Sequence, residues 1–347
     1  MAMDKSSADS FVYAKASGML AKSYVGLRAR DLFAANSLGE LWSLLFKKEI
    51  PSVPETLLAR ELEKEAFLTF VNQYKALIQN YSSPQPVLLA LLHGYDYENL
   101  KDIGAALALG EKEIPEIQKI NPFNLIHYEK WPNIQAMTAE SPFSWYNKVP
   151  EIREQHLVNY RIDCQNVIEL WRAAAKTESS CREAVKKLIA EKLIVDNVVW
   201  AIRLRLYYEM ERDEIIPLLA YSTEENRKNL DVMDVLVQDA VKSLEWPLDD
   251  YDKWKKWKYS KLLNAHEEGT VWNVDPSWIS NAFKPAYVEK ARKMFHRYPS
   301  TSCPMICWFI IKQNELDNIR TASESLRLDV DSVQAMNIAG IMEVSNG

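Results

Sequence analysis

Apolar residues recur at helical spacing in the segment 303–326, around a single carboxylate. The stripe around Glu315 contains Trp308, Ile311, Ile319, Ala322 and Leu326. These positions share one side of a helix with 3.6 residues per turn. The pattern therefore predicts a helix that carries an acid within its apolar stripe, with Asn318 three residues further on.

The same pattern occurs around Asp96, and Asn99 again follows three residues later. The apolar positions are at the offsets found around Glu315: Leu89, Leu92, Leu100, Ile103 and Leu107. A weaker third copy keeps only the stripe: Val195, Val199, Ile202 and Leu206. Val198 stands there in place of the Asn, the acid is missing, and a separate Asp163–Asn166 pair precedes this copy.

The three stripes are separated by about one small helical domain each, which is typical of an internally repeated protein. We therefore expect an all-α chain with three similar helical domains, at 1–120, 121–230 and 231–347. A carboxylate in an apolar stripe needs hydrogen-bond donors. Backbone N–H groups of a neighbouring segment are the favoured donors, which gives the acids a role in packing and orientation. A ligand or catalytic role and a contact with another protein of a complex remain open.

The rest of the chain is also predicted to be helical. We expect helices within 11–50, from Pro54 to about Tyr74, from Val87 to about Gly110, and within 151–218, 221–262 and 286–330. Five prolines punctuate 115–150, which is predicted to connect domains through short helical pieces. Residues 270–285 resemble a loop with a short helix, and the tail 331–347 is predicted to be weakly held.

Composition supports this interpretation. The 347 residues include only 9 glycines, which argues against all-β and dinucleotide-binding folds. The net charge of −6 makes nucleic acid an unlikely main partner, and four cysteines favour a reducing compartment. The N-terminus lacks the apolar core of a signal peptide, and no apolar run is long enough to span a bilayer.

Motifs for enzyme chemistry are missing. There is no phosphate-binding GxxxxGK[ST] loop, no GxGxxG, and His266 lacks the second His of a zinc helix. Cys303 and Cys307 have no CxxC motif or neighbouring His, so buried thiols are the expected state. The sequence predicts no catalytic residue, cofactor or metal.

A cluster of lysines and aromatics occurs at 252–259. Trp254 and Trp257 are expected to pack inward on a solvated helix. A contact of Trp254, Lys255, Lys256 and Trp257 with a membrane surface is the alternative, and the acidic neighbours weaken it.

The start FVYAKA at 11–16, the Asn-containing aliphatic helices and the closing KQNELDNIR at 312–320 resemble the C-type subunit of the prokaryotic V/A-type ATPase, whose counterpart in the eukaryotic vacuolar enzyme is the d-type subunit. The resemblance covers about 10–330. It implies three helical domains around a pseudo-threefold axis, in a funnel-like arrangement. It also implies a non-catalytic rotor connector, peripheral at the cytoplasmic face of a membrane, between the central-shaft subunits and the proteolipid ring. That ring is then a second possible partner of Trp254, Lys255, Lys256 and Trp257.

Two other classes of function remain in view. A helical scaffold or adaptor that binds peptides would show shorter repeats of about 34 to 47 residues. A helical hydrolase would need a pocket in which a His and an acid converge.

Overall fold

A computed structural model describes residues 4–267 and 269–341 of the chain. Helices make up 64% of it, and these two ranges contain no strand, so the prediction of an all-α protein is confirmed. Within the same ranges, no helix is both long and apolar enough to cross a membrane.

The α-helices are, in chain order, α1 Lys5–Leu20, α2 Leu38–Leu45, α3 Glu55–Ile78, α4 Pro86–Ala108, α5 Ile134–Thr138, α6 Gln155–Ala174, α7 Arg182–Tyr207, α8 Arg212–Ile215, α9 Glu224–Lys228, α10 Gln238–Ser243, α11 Tyr251–Trp254, α12 Pro276–Arg297, α13 Cys303–Arg327 and α14 Ser332–Ile338. Short 3₁₀ helices cover Gly26–Phe33, Tyr128–Lys130, Ile152–Glu154, Ile216–Leu218 and Ser260–Leu262.

Local sequence explains where the long helices begin and end. Pro86 and Pro304 stand in the first turns of α4 and α13, where a missing backbone N–H costs nothing. The side chain of Asp275 caps α12 by accepting from two backbone N–H groups. Gly110 ends α4 with a φ of +72°, and the N–H of Glu111 then donates to the carbonyl of Ala106.

The chain forms two compact units. Unit 1 combines the residues before Pro84 with those after Glu245, and unit 2 is the segment 84–245 between them. The first and last parts of the chain therefore share one unit. The division into three domains at 1–120, 121–230 and 231–347 stays a prediction.

Unit 1 is organised around α13, which packs against α12, α3 and α1. The N-terminal half of α13 is buried on all sides. The ring of Trp308 stacks on the rings of Phe70 and Tyr74 of α3, with ring centroids 5.8 Å apart in each pair. The apolar run that begins α13 is thus core. The segment 29–46 adds a second apolar layer against α3 and the C-terminal half of α13.

Unit 2 contains two helix pairs, α4 with α6 and α7 with α10, and α6 also packs on α7. The proline-containing segment 109–154 lies over α4, where Ile126, Ile134 and Phe143 join Leu100 and Ile103 in one apolar cluster. Gly104 permits this close approach, because a Cβ at that position would collide with the hydroxyl of Tyr146.

Three regions differ from their predictions. The segment 270–285, expected to be a loop with a short helix, is helical from Pro276, because α12 continues through Pro285 to Arg297. Residues 221–262 form short helices separated by irregular chain, because Pro247 interrupts them and buried Asp234 holds the backbone of 220–236 in a loop. In the tail, α14 is held by buried Ala335. Residues 342–347 lie outside the described part of the chain.

Candidate functional site

Buried polar side chains in the middle of long helices hold irregular segments of the chain. We call such a set a clamp. In the α4 clamp, Asp96 accepts hydrogen bonds from the Leu125 N–H (2.6 Å) and the Tyr128 hydroxyl (2.5 Å). Asn99 pairs with both backbone groups of Gln118, at 2.9 and 3.0 Å, and donates to the Tyr128 hydroxyl. One turn of α4 thereby fastens the segment 118–128.

The electrostatics of the α4 clamp are set by burial. Asp96 is fully buried, and loss of hydration raises its pKa to about 6. The hydrogen bonds from Leu125 and Tyr128 act in the opposite direction and favour the carboxylate. Burial and the nearby Asp96 charge also raise the pKa of Tyr128, which keeps its proton available for donation.

The α7 clamp uses the same amide geometry. Asn197 accepts from the Ala220 N–H at 2.8 Å and donates to the carbonyls of Ala220 and Leu236, at 3.0 and 2.9 Å. The acid comes from the loop itself, because Asp234 accepts from Leu236 N–H, Ser222 N–H and the Ser222 hydroxyl. The backbone of 220–236 is therefore fastened by one helix residue and one loop residue.

The sequence pattern missed Asn197 by one position. The apolar stripe places Val198 at the site of the Asn, and Val198 is indeed buried, but the hydrogen-bonding amide is the residue before it. Counting back three residues from Asn197 gives Ile194, so α7 has no acid at the position that corresponds to Asp96 and Glu315. An amide next to the apolar stripe was the available signal.

The α13 clamp contains a charged pair. Glu315 accepts from the Tyr24 N–H at 2.5 Å and forms an ion pair with Lys312, one turn earlier on the helix. Lys312 also donates to the Ser23 hydroxyl at 3.0 Å. Both charged side chains are buried. This clamp holds the chain just after α1 to a helix that lies almost 300 residues later.

The other predicted polar positions have different surroundings. Asn318 is buried on α13. Asp163 lies on α6, half-buried, and accepts from Lys101 of α4 at 2.9 Å. Asn166 is also half-buried, on the side of α6 that faces Gly94 of α4. Asp163 and Asn166 thus belong to the α4–α6 contact and do not form a clamp.

The lysine and tryptophan segment divides into an inner and an outer set. Trp254 and Trp257 are buried, and the indole of Trp254 donates to the Pro247 carbonyl at 2.9 Å. Lys255 and Lys256 are exposed, and Lys255 pairs with Asp252. The tryptophans therefore present no aromatic surface to a membrane or a ring, and such a contact would rest on the lysines alone.

The thiols of Cys303 and Cys307 lie 3.8 Å apart in the core of unit 1. In residues 4–267 and 269–341, no three His, Cys, Asp or Glu side chains are grouped as metal ligands would be.

The chemical role of the clamps is to provide hydrogen-bond partners for backbone groups of loops and so to hold those loops in one conformation.

The fold and the clamps define a class of protein: an all-α chain in which long helices position irregular loops through buried polar side chains. The chain belongs to the family described as the ATP synthase (C/AC39) subunit, whose family model matches residues 12–337. This confirms the resemblance to the C-type and d-type subunits of V/A-type ATPases. The chain is also 28% identical over 326 residues to an uncharacterized protein of Treponema pallidum (strain Nichols), with 94% of each chain covered.

Proposed function

We propose that this protein is a rotor connector of a V/A-type rotary ATPase. It links the central-shaft subunits to the membrane proteolipid ring and passes torque between them, so that ATP turnover is coupled to ion transport. It has no catalytic centre of its own, and it is peripheral at the cytoplasmic face of the membrane through its partners.

The observation that carries this proposal is the family match over residues 12–337, nearly the whole chain. The clamps support it. A connector must deform little under load, and loops held by buried hydrogen bonds resist displacement more than loops that contact only water. Asn99, Asn197 and Glu315 each fasten the backbone of a distant segment to the middle of a long helix.

The threefold organisation is part of the proposal. We infer that the α4, α7 and α13 clamps mark three related helical domains around a pseudo-threefold axis, in a funnel-like arrangement. The similar amide pairing of Asn99 with Gln118 and of Asn197 with Ala220 supports a common origin for two of them. In the third, the N-terminal segment supplies the fastened chain.

The test is reconstitution of the complex with and without this protein. We expect the protein to co-purify with the proteolipid ring and the shaft subunits in mild detergent. Membranes depleted of it should lose ATP-driven ion transport, while the released soluble sector keeps hydrolysing ATP. Recovery of transport on adding the purified protein back completes the test.

If the protein co-purified with neither the ring nor the shaft, or if depleted membranes kept full ATP-driven transport, the proposal would be wrong. A scaffold that binds unrelated peptides would give that result.

A further inference from the structure

An exposed apolar loop stands out on unit 2. Between residues 230 and 235, four apolar side chains face solvent: Leu230, Val232, Met233 and Val235 are 51%, 53%, 36% and 54% exposed. We call this segment the 230–235 loop. Single exposed apolar residues are ordinary on protein surfaces, but four within six residues are typical of an interaction site.

The backbone of the 230–235 loop is held in place from beneath. Asp234 points inward and accepts from Ser222 and Leu236, while Asn197 of α7 holds the Leu236 carbonyl. Asp234 is buried, whereas its neighbours Met233 and Val235 are exposed. A loop that is ordered before binding loses less entropy when a partner docks.

The segment of chain that contains the loop is rich in acidic residues. The segment 209–239 contains nine acidic and three basic residues. Seven of the acids are exposed: Glu209, Glu211, Asp213, Glu214, Glu224, Glu225 and Asp231. Asp231 lies within the apolar loop and makes no ion pair in the described part of the chain. A matching surface would combine apolar side chains with lysine or arginine.

Proteolipid helices present that combination at the cytoplasmic side of a membrane. Their helices are apolar, and short cytoplasmic loops of membrane proteins carry an excess of Lys and Arg. We propose that the 230–235 loop docks on the basic cytoplasmic turns of the proteolipid ring, with Asp231 facing a basic side chain. This rests on the proposed function, and it assigns the ring contact to one loop of unit 2.

Other occupants fit the charge less well. A second copy of the same face would bring two acidic surfaces together, and anionic lipid headgroups would be repelled by the same carboxylates. Nucleic acid is disfavoured for the same reason. A coiled-coil protein of the shaft is the remaining alternative, and the experiment distinguishes it.

The test measures binding of the full chain to the detergent-purified proteolipid ring and, separately, to the shaft subunits. In the loop variant, Leu230→Ser, Val232→Ser and Val235→Ser are combined. We expect its affinity for the ring to fall at least about tenfold, with its affinity for the shaft unchanged. Asp231→Lys should slow association with the ring and weaken its salt dependence.

The matched control changes three exposed apolar residues of unit 1 in the same way: Leu27→Ser, Val271→Ser and Leu328→Ser, at positions 75%, 91% and 58% exposed. It should bind the ring as the wild type does. Circular dichroism and thermal unfolding of each variant verify that the fold is kept.

The outcomes separate the two proposals. Unchanged ring affinity of the loop variant, beside wild-type binding to both partners, overturns the assignment of this loop and leaves the connector function standing. A loop variant that loses the shaft and keeps the ring also overturns the assignment. A wild-type chain that binds neither partner refutes the connector function and this inference with it.

Discussion

The α4 and α13 clamps share one sequence pattern, but their buried carboxylates are stabilised by different kinds of partner. Within the described part of the chain, Asp96 of α4 accepts from a backbone N–H and a tyrosine hydroxyl and has no cation as a partner. Glu315 of α13 has a backbone N–H and, in addition, the buried ammonium group of Lys312. One acid is therefore surrounded by dipoles, and the other is paired with a full opposite charge.

The difference shows what each clamp can tolerate. A buried carboxylate without a cation can relieve its desolvation by binding a proton, which is why the pKa of Asp96 is raised to about 6. A buried ion pair is stabilised by mutual attraction, but loss of one partner leaves the other as an uncompensated buried charge, which destabilises the fold. The α4 clamp should thus respond to pH, and the α13 clamp to loss of either charge.

The largest effect is expected from breaking the charged pair. Lys312→Met leaves Glu315 buried without its cation and should reduce the free energy of unfolding by about 3 to 5 kcal/mol. Urea unfolding followed by circular dichroism measures this. The double variant Lys312→Met with Glu315→Leu should recover most of the loss, because neither of the two charges is left at this site. If the free energy of unfolding of Lys312→Met stayed within about 1 kcal/mol of the wild-type value, the pair would be shown to be hydrated.

The amide of the α4 clamp gives the next effect. Asn99→Ala leaves both backbone groups of Gln118 without their partner, and we expect a loss of about 2 kcal/mol in the same measurement. Asn166→Ala on α6 is the matched control, since that side chain is half-exposed. Its cost should stay within about 0.5 kcal/mol. Equal losses in the two variants would contradict the clamp.

The acid of the α4 clamp should produce a pH dependence. Its folded pKa of about 6 lies above the unfolded value, so the folded state binds the proton more tightly. The stability gained from binding this proton is fully present below the unfolded pKa and is lost as the pH rises through about 6. When the pH is lowered from 7.5 to 5, the free energy of unfolding of the wild type should increase by about 1 kcal/mol relative to that of Asp96→Asn. Parallel pH profiles of the two proteins would refute this.

The smallest effect concerns the hydroxyl donor. Tyr128→Phe removes a hydrogen bond that lowers the pKa of Asp96, so that pKa should rise further, by less than about one unit. The pH at which stability changes should then move upward relative to wild type. The double variant with Asp96→Asn serves as the reference, and an unmoved or downward midpoint would show that Tyr128 does not donate to Asp96.

Helical periodicity predicted much of the framework. The helix expected from Val87 to Gly110 is α4, and the segment around Glu315 lies within α13, as its stripe required. The stripes also placed Asp96, Asn99 and Glu315 on buried helix faces. These predictions depend on neighbours within a few turns, which is the range over which a periodic pattern carries information.

What periodicity could not supply were the partners. Tyr128 and Gln118 belong to a loop without a repeat, and Asp234 fastens its own loop, so no helical spacing relates them to α4 or α7. Sequence alone would place Lys312 at the surface, because a lone lysine is rarely buried. Its burial depends on Ser23 and Glu315, which only the tertiary structure brings together.

The bond between Tyr24 and Glu315 has a consequence for synthesis on the ribosome. The two residues are 291 positions apart, and α13, on which unit 1 is organised, is among the last helices to be translated. All residues of unit 2 have been synthesised once Glu245 is added. The first 83 residues, in contrast, cannot complete unit 1 until α13 has been translated. Nascent chains should therefore contain a folded middle before they contain a folded beginning, with the apolar faces of α1 and α3 exposed to chaperones in the interval.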